Sequence, residues 1–143
     1  MLAELAALVK TRQSTARELV ERSLDRIESS NAVVNAVVRL CAEQALDAAD
    51  AVDRTIGEGA HVGALAGIPI LVKDIEDVRG LPTTFGSRAF AHAAPAAEDG
   101  LAPARLKAEG AIVVGKTNCP EFAFESYTAN GLFGVTRNPW GLE

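Results

Sequence analysis

The residue most suited to chemistry in this chain is Lys73. It follows Ile68, Ile70, Leu71 and Val72, a near-continuous apolar run of the kind a strand buried on both faces shows. Desolvation at the end of such a strand penalises the charged ammonium and favours the neutral amine, a competent general base for a nearby hydroxyl. The competing reading makes Lys73 a structural lysine paired with Asp74, Glu76 or Asp77. The acidic run Asp74–Asp77 itself reads as a solvated turn.

A second candidate is Gly110-Ala111-Ile112-Val113-Val114-Gly115-Lys116-Thr117, which matches the phosphate-loop pattern letter for letter. That motif needs a loop between its glycines, a strand before it and a helix directly after it. Here the middle is a strand-forming Ala-Ile-Val-Val run, and the segment before it is helical. The next helix start is delayed by Asn118, Cys119 and Pro120. A nucleotide-binding module at Gly110–Thr117 is therefore a minor alternative, and Lys116 is expected to mark the exit of an Ala111–Val114 strand rather than to bind a ligand.

Other chemistry-bearing residues are sparse. Cys41 and Cys119 fit no metal spacing, and His61 and His92 have no partners at ligand spacing, so no metal and no cofactor are expected. Cys119 at a helix start could have an activated thiol, but a small apolar filler is the favoured reading. Two free cysteines and an N-terminus without a positive leader point to the reducing cytoplasm, one disulfide being the alternative.

The elements that must position Lys73 follow from periodicity. Residues 2–9 read as a helix with Leu2, Leu5, Leu8 and Val9 on one face. Thr15-Ala16-Arg17-Glu18 is a capping box opening a second helix, with Ala16, Leu19, Val20, Leu24 and Ile27 at helical spacing and Asn31 as its end. Val33, Val34, Val37 and Val38 read as a strand. A helix over 42–56 stops at Gly57 and Gly59, a strand covers 68–72, and 79–97 is loop. A helix over 99–109 carries Pro103 in its first turn and Gly110 as its stop, and Asn118 and Pro120 predict one more helix start. Strands alternating with helices give an α/β fold with a parallel or mixed sheet flanked by helices.

Composition narrows the class. The chain has 143 residues, 48% hydrophobic and 23% charged, which excludes disorder and allows one core. Twenty-six alanines against five Phe, one Tyr and one Trp argue against an aromatic stacking platform. The net charge of −5, with no basic cluster, argues against direct nucleic-acid binding, and no apolar stretch is long enough for a membrane span. The last 14 residues, with Phe133, Trp140 and Leu142, hold large apolar side chains and no regular element to bury them.

Taken together, three stretches resemble the amidase signature family. They are Gly67-Ile68-Pro69-Ile70-Leu71-Val72-Lys73-Asp74 with Gly80-Leu81-Pro82-Thr83-Thr84 and Gly86-Ser87; Ala104 to Ala111 with Val114-Gly115-Lys116-Thr117-Asn118 and Glu121-Phe122; and Thr136-Arg137-Asn138-Pro139-Trp140. Order and spacing are kept over nearly the whole chain. The resemblance implies an amide hydrolase with a Ser–cis-Ser–Lys triad, in which Lys73 is the general base. The bridging and nucleophilic serines belong to a Gly-Ser-rich segment after the Arg-Asn-Pro stretch. Ser14, Ser23, Ser29, Ser30, Ser87 and Ser126 lack that context.

The expectation is therefore that residues 1–143 are the N-terminal portion of a single amidase domain, inactive alone, whose complete form takes a small-molecule amide. Cys119-Pro120-Glu121-Phe122-Ala123-Phe124 departs from the Met-Asp and Met-Gly pairs around Glu-Phe in the glutamyl-tRNA amidotransferase's amidase component. That departure favours a general amidase, with the amidotransferase component as the alternative. A stand-alone interaction domain is a further alternative. Strands that lose their neighbours in the isolated chain predict self-association.

Overall fold

The computed structural model describes residues 2–141. Its elements run α1 (Leu2–Lys10), α2 (Ala16–Val34), β1 (Val37–Leu40), α3 (Ala42–Gly57), β2 (Pro69–Lys73), α4 (Leu101–Ala108), β3 (Ile112–Thr117), β4 (Ala129–Asn130) and β5 (Gly134–Val135). One-turn 3₁₀ helices sit at Arg88–Phe90 and Glu121–Ala123.

The capping box forms as expected. The Thr15 hydroxyl accepts from the Glu18 amide at 3.0 Å, and the Glu18 carboxylate accepts from the Thr15 amide at 3.0 Å. The Asp53 carboxylate, reaching across from α3, accepts from the Ala16 and Arg17 amides at 2.7 and 3.1 Å. Three of the four orphan donors of α2 are thereby satisfied, one pair of them by a residue distant in sequence. In α1, Ala6 and Val9 face the core, whereas Leu2 and Leu8 are exposed.

The end of α2 differs from expectation. Val33 and Val34 are helical, and Asn31 lies inside the helix. Asn35 ends it in the left-handed conformation, at φ 53°. The Asn31 amide group spans the turn instead. Its oxygen accepts from the Ala36 and Val37 amides, and its nitrogen donates to the Val37 carbonyl at 2.7 Å. β1 therefore begins only at Val37.

The sheet is mixed, in the order β1-β3-β2, with β3 antiparallel to β1 and parallel to β2. A core of Val9, Val20, Ala45, Ala49, Ile68, Ile112 and Val114 lies between the first three helices and one face. Val72, Val78, Leu81 and Val113 form a smaller cluster. Central β3 is buried from Ile112 to Lys116, longer than the Ala111–Val114 expected. The apolar run of β2 predicts burial on both faces, but the strand pairs with β3 alone, and Leu71 is 37% exposed.

The phosphate-loop pattern is resolved by the same arrangement. Gly110, at φ +88°, follows α4, and Ile112–Thr117 is extended and paired on both sides, so no amides converge on an anion. A Cβ at Gly115 would run into the Arg39 carbonyl of β1. Both glycines thus have backbone reasons, one a helix stop and the other close strand approach.

Candidate active site

β2 and β3 run parallel, with Lys73 and Thr117 register partners at their carboxyl ends. In open α/β sheets that end is where ligands bind. The chain turns immediately afterwards, the Lys73 carbonyl accepting from the amides of Ile75 at 2.8 Å and Glu76 at 3.1 Å. Alternation along β2 puts Val72 and Asp74 inside and Lys73 outside. Lys73 is exposed, and its amine forms no hydrogen bond or ion pair with any described residue. The desolvation expected for it is absent within these residues. The physical reason is that β2 has a neighbour on one side only.

The buried lysine is Lys116, one register step back on β3, opposite Val72. It is 0% exposed, and its ammonium lies 3.1 Å from Asp74 Oδ1. It donates to the Glu76 carbonyl at 2.9 Å and to Thr83 Oγ1 at 3.0 Å, with the Pro82 carbonyl at 3.4 Å. The second Asp74 oxygen accepts from the Thr84 hydroxyl and, at 3.3 Å, from the Thr84 amide. Asp74 is 2% exposed, so the first member of the acidic run is not in a solvated turn. Sequence reasoning missed this cluster. The available signal was polar Lys116 continuing an apolar strand on the same face parity as Val114.

Beyond β3 no α-helix begins at Asn118. Pro120 is extended, at ψ 154°, and Phe122 and Ala123 have φ of 53° and 59°, so only the single 3₁₀ turn forms. The Asn118 side chain is used elsewhere: its nitrogen donates to Thr136 Oγ1 at 3.0 Å, and its oxygen accepts from Asn130 at 2.7 Å. Thr136 in turn donates to the Asn35 carbonyl at 2.6 Å, which ties the β4–β5 hairpin to the end of α2. Cys119 is fully buried, and burial first, then the Asp74 charge, push its thiol up, so it is a filler and not an activated nucleophile. Both cysteines are free thiols.

Phe85, Phe90 and Phe122 form an aromatic cluster with ring centroids 5.5 to 6.0 Å apart. It is tied to the strand end, because the Phe85 amide donates to the Asp74 carbonyl at 3.0 Å and the Phe122 amide to the Phe85 carbonyl at 2.8 Å. Ser87 is buried and caps the Arg88–Phe90 turn, while Ser126 is exposed. His61 and His92 are exposed. Among the described residues no group of His, Cys, Asp and Glu could hold a metal, and no helix is long and apolar enough to cross a membrane.

A sheet that presents a lone amine at the carboxyl end of a parallel strand, backed by a buried Lys-Asp pair, fits the expected family. The amidase profile matches residues 18–143, and the chain belongs to the amidase family. It is 45% identical over 140 residues to the amidase-type (GatA) component of the glutamyl-tRNA(Gln) amidotransferase of Salinispora arenicola, covering 98% of this chain and 28% of that protein. It is 41% identical to the same component from Acidothermus cellulolyticus, covering 97% and 27%. Among solved structures, a bacterial aryl acylamidase of the amidase signature family superposes with TM-score 0.94 at 40% identity, over 99% of this chain and 29% of that one. The peptide amidase of Stenotrophomonas maltophilia does so with TM-score 0.89 at 30% identity, over 99% and 30%. The chain spans less than a third of the length of the relatives it matches.

Proposed function

We propose that this chain supplies the N-terminal part of a cytoplasmic amidase domain and that Lys73 is its general base. The observation that carries the reading is the position of Lys73: an unpartnered amine at the carboxyl end of a parallel strand, within the stretch that resembles the family's lysine motif. In the complete protein Lys73 takes a proton from the bridging serine, which takes that of the nucleophilic serine. The serine oxygen attacks the amide carbonyl, the C–N bond breaks, and the leaving amine departs with the proton. Water then hydrolyses the acyl-enzyme to the acid. The desolvation that keeps the amine neutral comes from protein that covers the strand end in the complete enzyme.

The substrate is a small-molecule amide, with neither nucleic acid nor membrane as a direct partner. A general amidase is the first reading. Pro120 and Phe124 stand where the amidotransferase component has other residues, and the aromatic cluster hung on the Asp74 carbonyl suits an amide with an apolar body. The second reading, the glutaminase half of that amidotransferase, is favoured by the 45% identity to the Salinispora protein.

The test is ammonia or amine release by the full-length protein carrying these residues, from simple aryl and alkyl amides and from glutamine. Lys73→Ala and Lys73→Arg are expected to abolish turnover with the fold intact, since guanidinium stays charged. Substantial turnover by Lys73→Ala overturns the role of Lys73. Residues 1–143 alone are expected to show no hydrolysis; lysine-dependent hydrolysis by them would place the nucleophile inside this chain. Preference for glutamine over simple amides would select the second reading.

A further inference from the structure

The proposed reaction leaves unused the two most deeply buried charged side chains, Lys116 and Asp74. A buried ion pair seldom adds net stability, because apolar side chains of similar volume often hold a fold as well. Something other than stability therefore has to account for this one, and its position suggests what.

Asp74 is the residue next to Lys73, and all four of its polar atoms are engaged. Its amide donates to the Thr117 carbonyl at 3.0 Å, and its carbonyl accepts from the Phe85 amide at 3.0 Å. One carboxylate oxygen meets the Lys116 ammonium at 3.1 Å, and the other takes the Thr84 hydroxyl. The same ammonium gathers the Glu76 carbonyl and Thr83 Oγ1, so residues 74–84 wrap around a single cation. The pleat ties the two neighbours together: with Asp74 locked inward, the Cα–Cβ bond of Lys73 is aimed outward, toward the open face. Lys73 has no partner of its own to hold it there.

We propose that Lys116, Asp74 and Thr84 are positioning residues, a buried clamp that aims the Lys73 amine. The proposal rests on Lys73 being the base. A base is effective only when held close to its productive geometry by residues that are themselves locked. The clamp supplies that from the side of the sheet away from substrate, and none of its three members touches the reacting atoms.

The experiment measures kcat, KM and thermal midpoint of the full-length protein in three variants. Asp74→Leu/Lys116→Met replaces the pair by apolar side chains. Thr84→Val removes one hydroxyl at constant volume, and Thr84→Ser keeps the hydroxyl. The double variant is expected to melt at or above the wild-type temperature yet lose about 10²-fold in kcat, with KM within about twofold of wild type. Thr84→Val is expected to lose kcat to a smaller degree, and Thr84→Ser to retain it. A double variant that folds and keeps wild-type kcat overturns the clamp. Where the double variant does not fold, the Thr84 pair decides: wild-type kcat in Thr84→Val, or equal losses in Val and Ser, overturns it. Turnover by Lys73→Ala removes the base and the clamp together, whereas an inactive Lys73→Ala beside fully active clamp variants removes the clamp alone.

Discussion

Lys73 and Lys116 sit on adjacent parallel strands, one register step apart, and their surroundings are opposite. Lys116 is on β3, which has neighbours on both sides and helices over one face, so its ammonium is sealed in and must be matched donor for donor. Lys73 ends β2, which has a neighbour on one side only, and its amine is left open. Charge type and apolar context are nearly the same for the two in sequence. The difference shows that a strand's place in the sheet, and not its own hydrophobicity, sets what becomes of a lysine at its end. A committed lysine organises the loop, and an uncommitted one remains available for chemistry. Lys107 is the intermediate case, paired with Asp99 at 2.6 Å while about a third exposed.

Neutral truncation of each lysine puts this order to the test by urea unfolding. Lys116→Met leaves the Asp74 carboxylate buried without a cation and is expected to cost about 3–5 kcal/mol. Lys107→Met breaks a partly exposed pair and is expected to cost about 0.5–1 kcal/mol. Lys73→Met is expected to change stability by less than about 0.5 kcal/mol. A loss in Lys73→Met as large as that in Lys116→Met would erase the distinction.

Acid sharpens the middle case. Burial pushes the Asp99 carboxyl up, but the Lys107 ammonium and the Arg79 amide together outweigh it and hold the group below the usual carboxylate range. A depressed carboxylate contributes stability that is present above its unfolded value and is lost as pH falls through the folded one. Lys107→Met is therefore expected to flatten the acid limb of the stability–pH curve. An unchanged acid limb would show that the pair contributes nothing.

Amine acetylation reads the same contrast chemically. Lys73 is expected to be modified in native buffer, and Lys116 only after global unfolding, as followed by peptide mass spectrometry. Modification of Lys116 in the native state would mean that the clamp opens. The smallest effect concerns the open edge of β2. With Leu71 exposed and no second neighbour, residues 1–143 are expected to self-associate at high concentration, and Leu71→Lys to reduce this, as read by light scattering. A stable monomer at every concentration would count against it.

Sequence by itself determined the local parts. The capping box at Thr15 and Glu18, the helix over 42–57, the Gly110 stop and the motif around Lys73 all depend on contacts within a few residues, or on a pattern carried whole along the chain. Where an expectation failed, a distant partner had intervened. Val33 and Val34 stayed helical because Asn31 bridged to Val37 instead of ending the helix. No α-helix formed after Asn118 because that side chain was claimed by Thr136 and Asn130. The tertiary structure alone decided which lysine is buried, that Asp74 is its counter-ion, and that the amine of Lys73 is free. The physical reason is that burial and ion pairing are set by strand order and by loops returning from ten to forty residues away, as Thr84 returns to Asp74 and Lys116 to Glu76. No local pattern encodes which neighbour a strand will have.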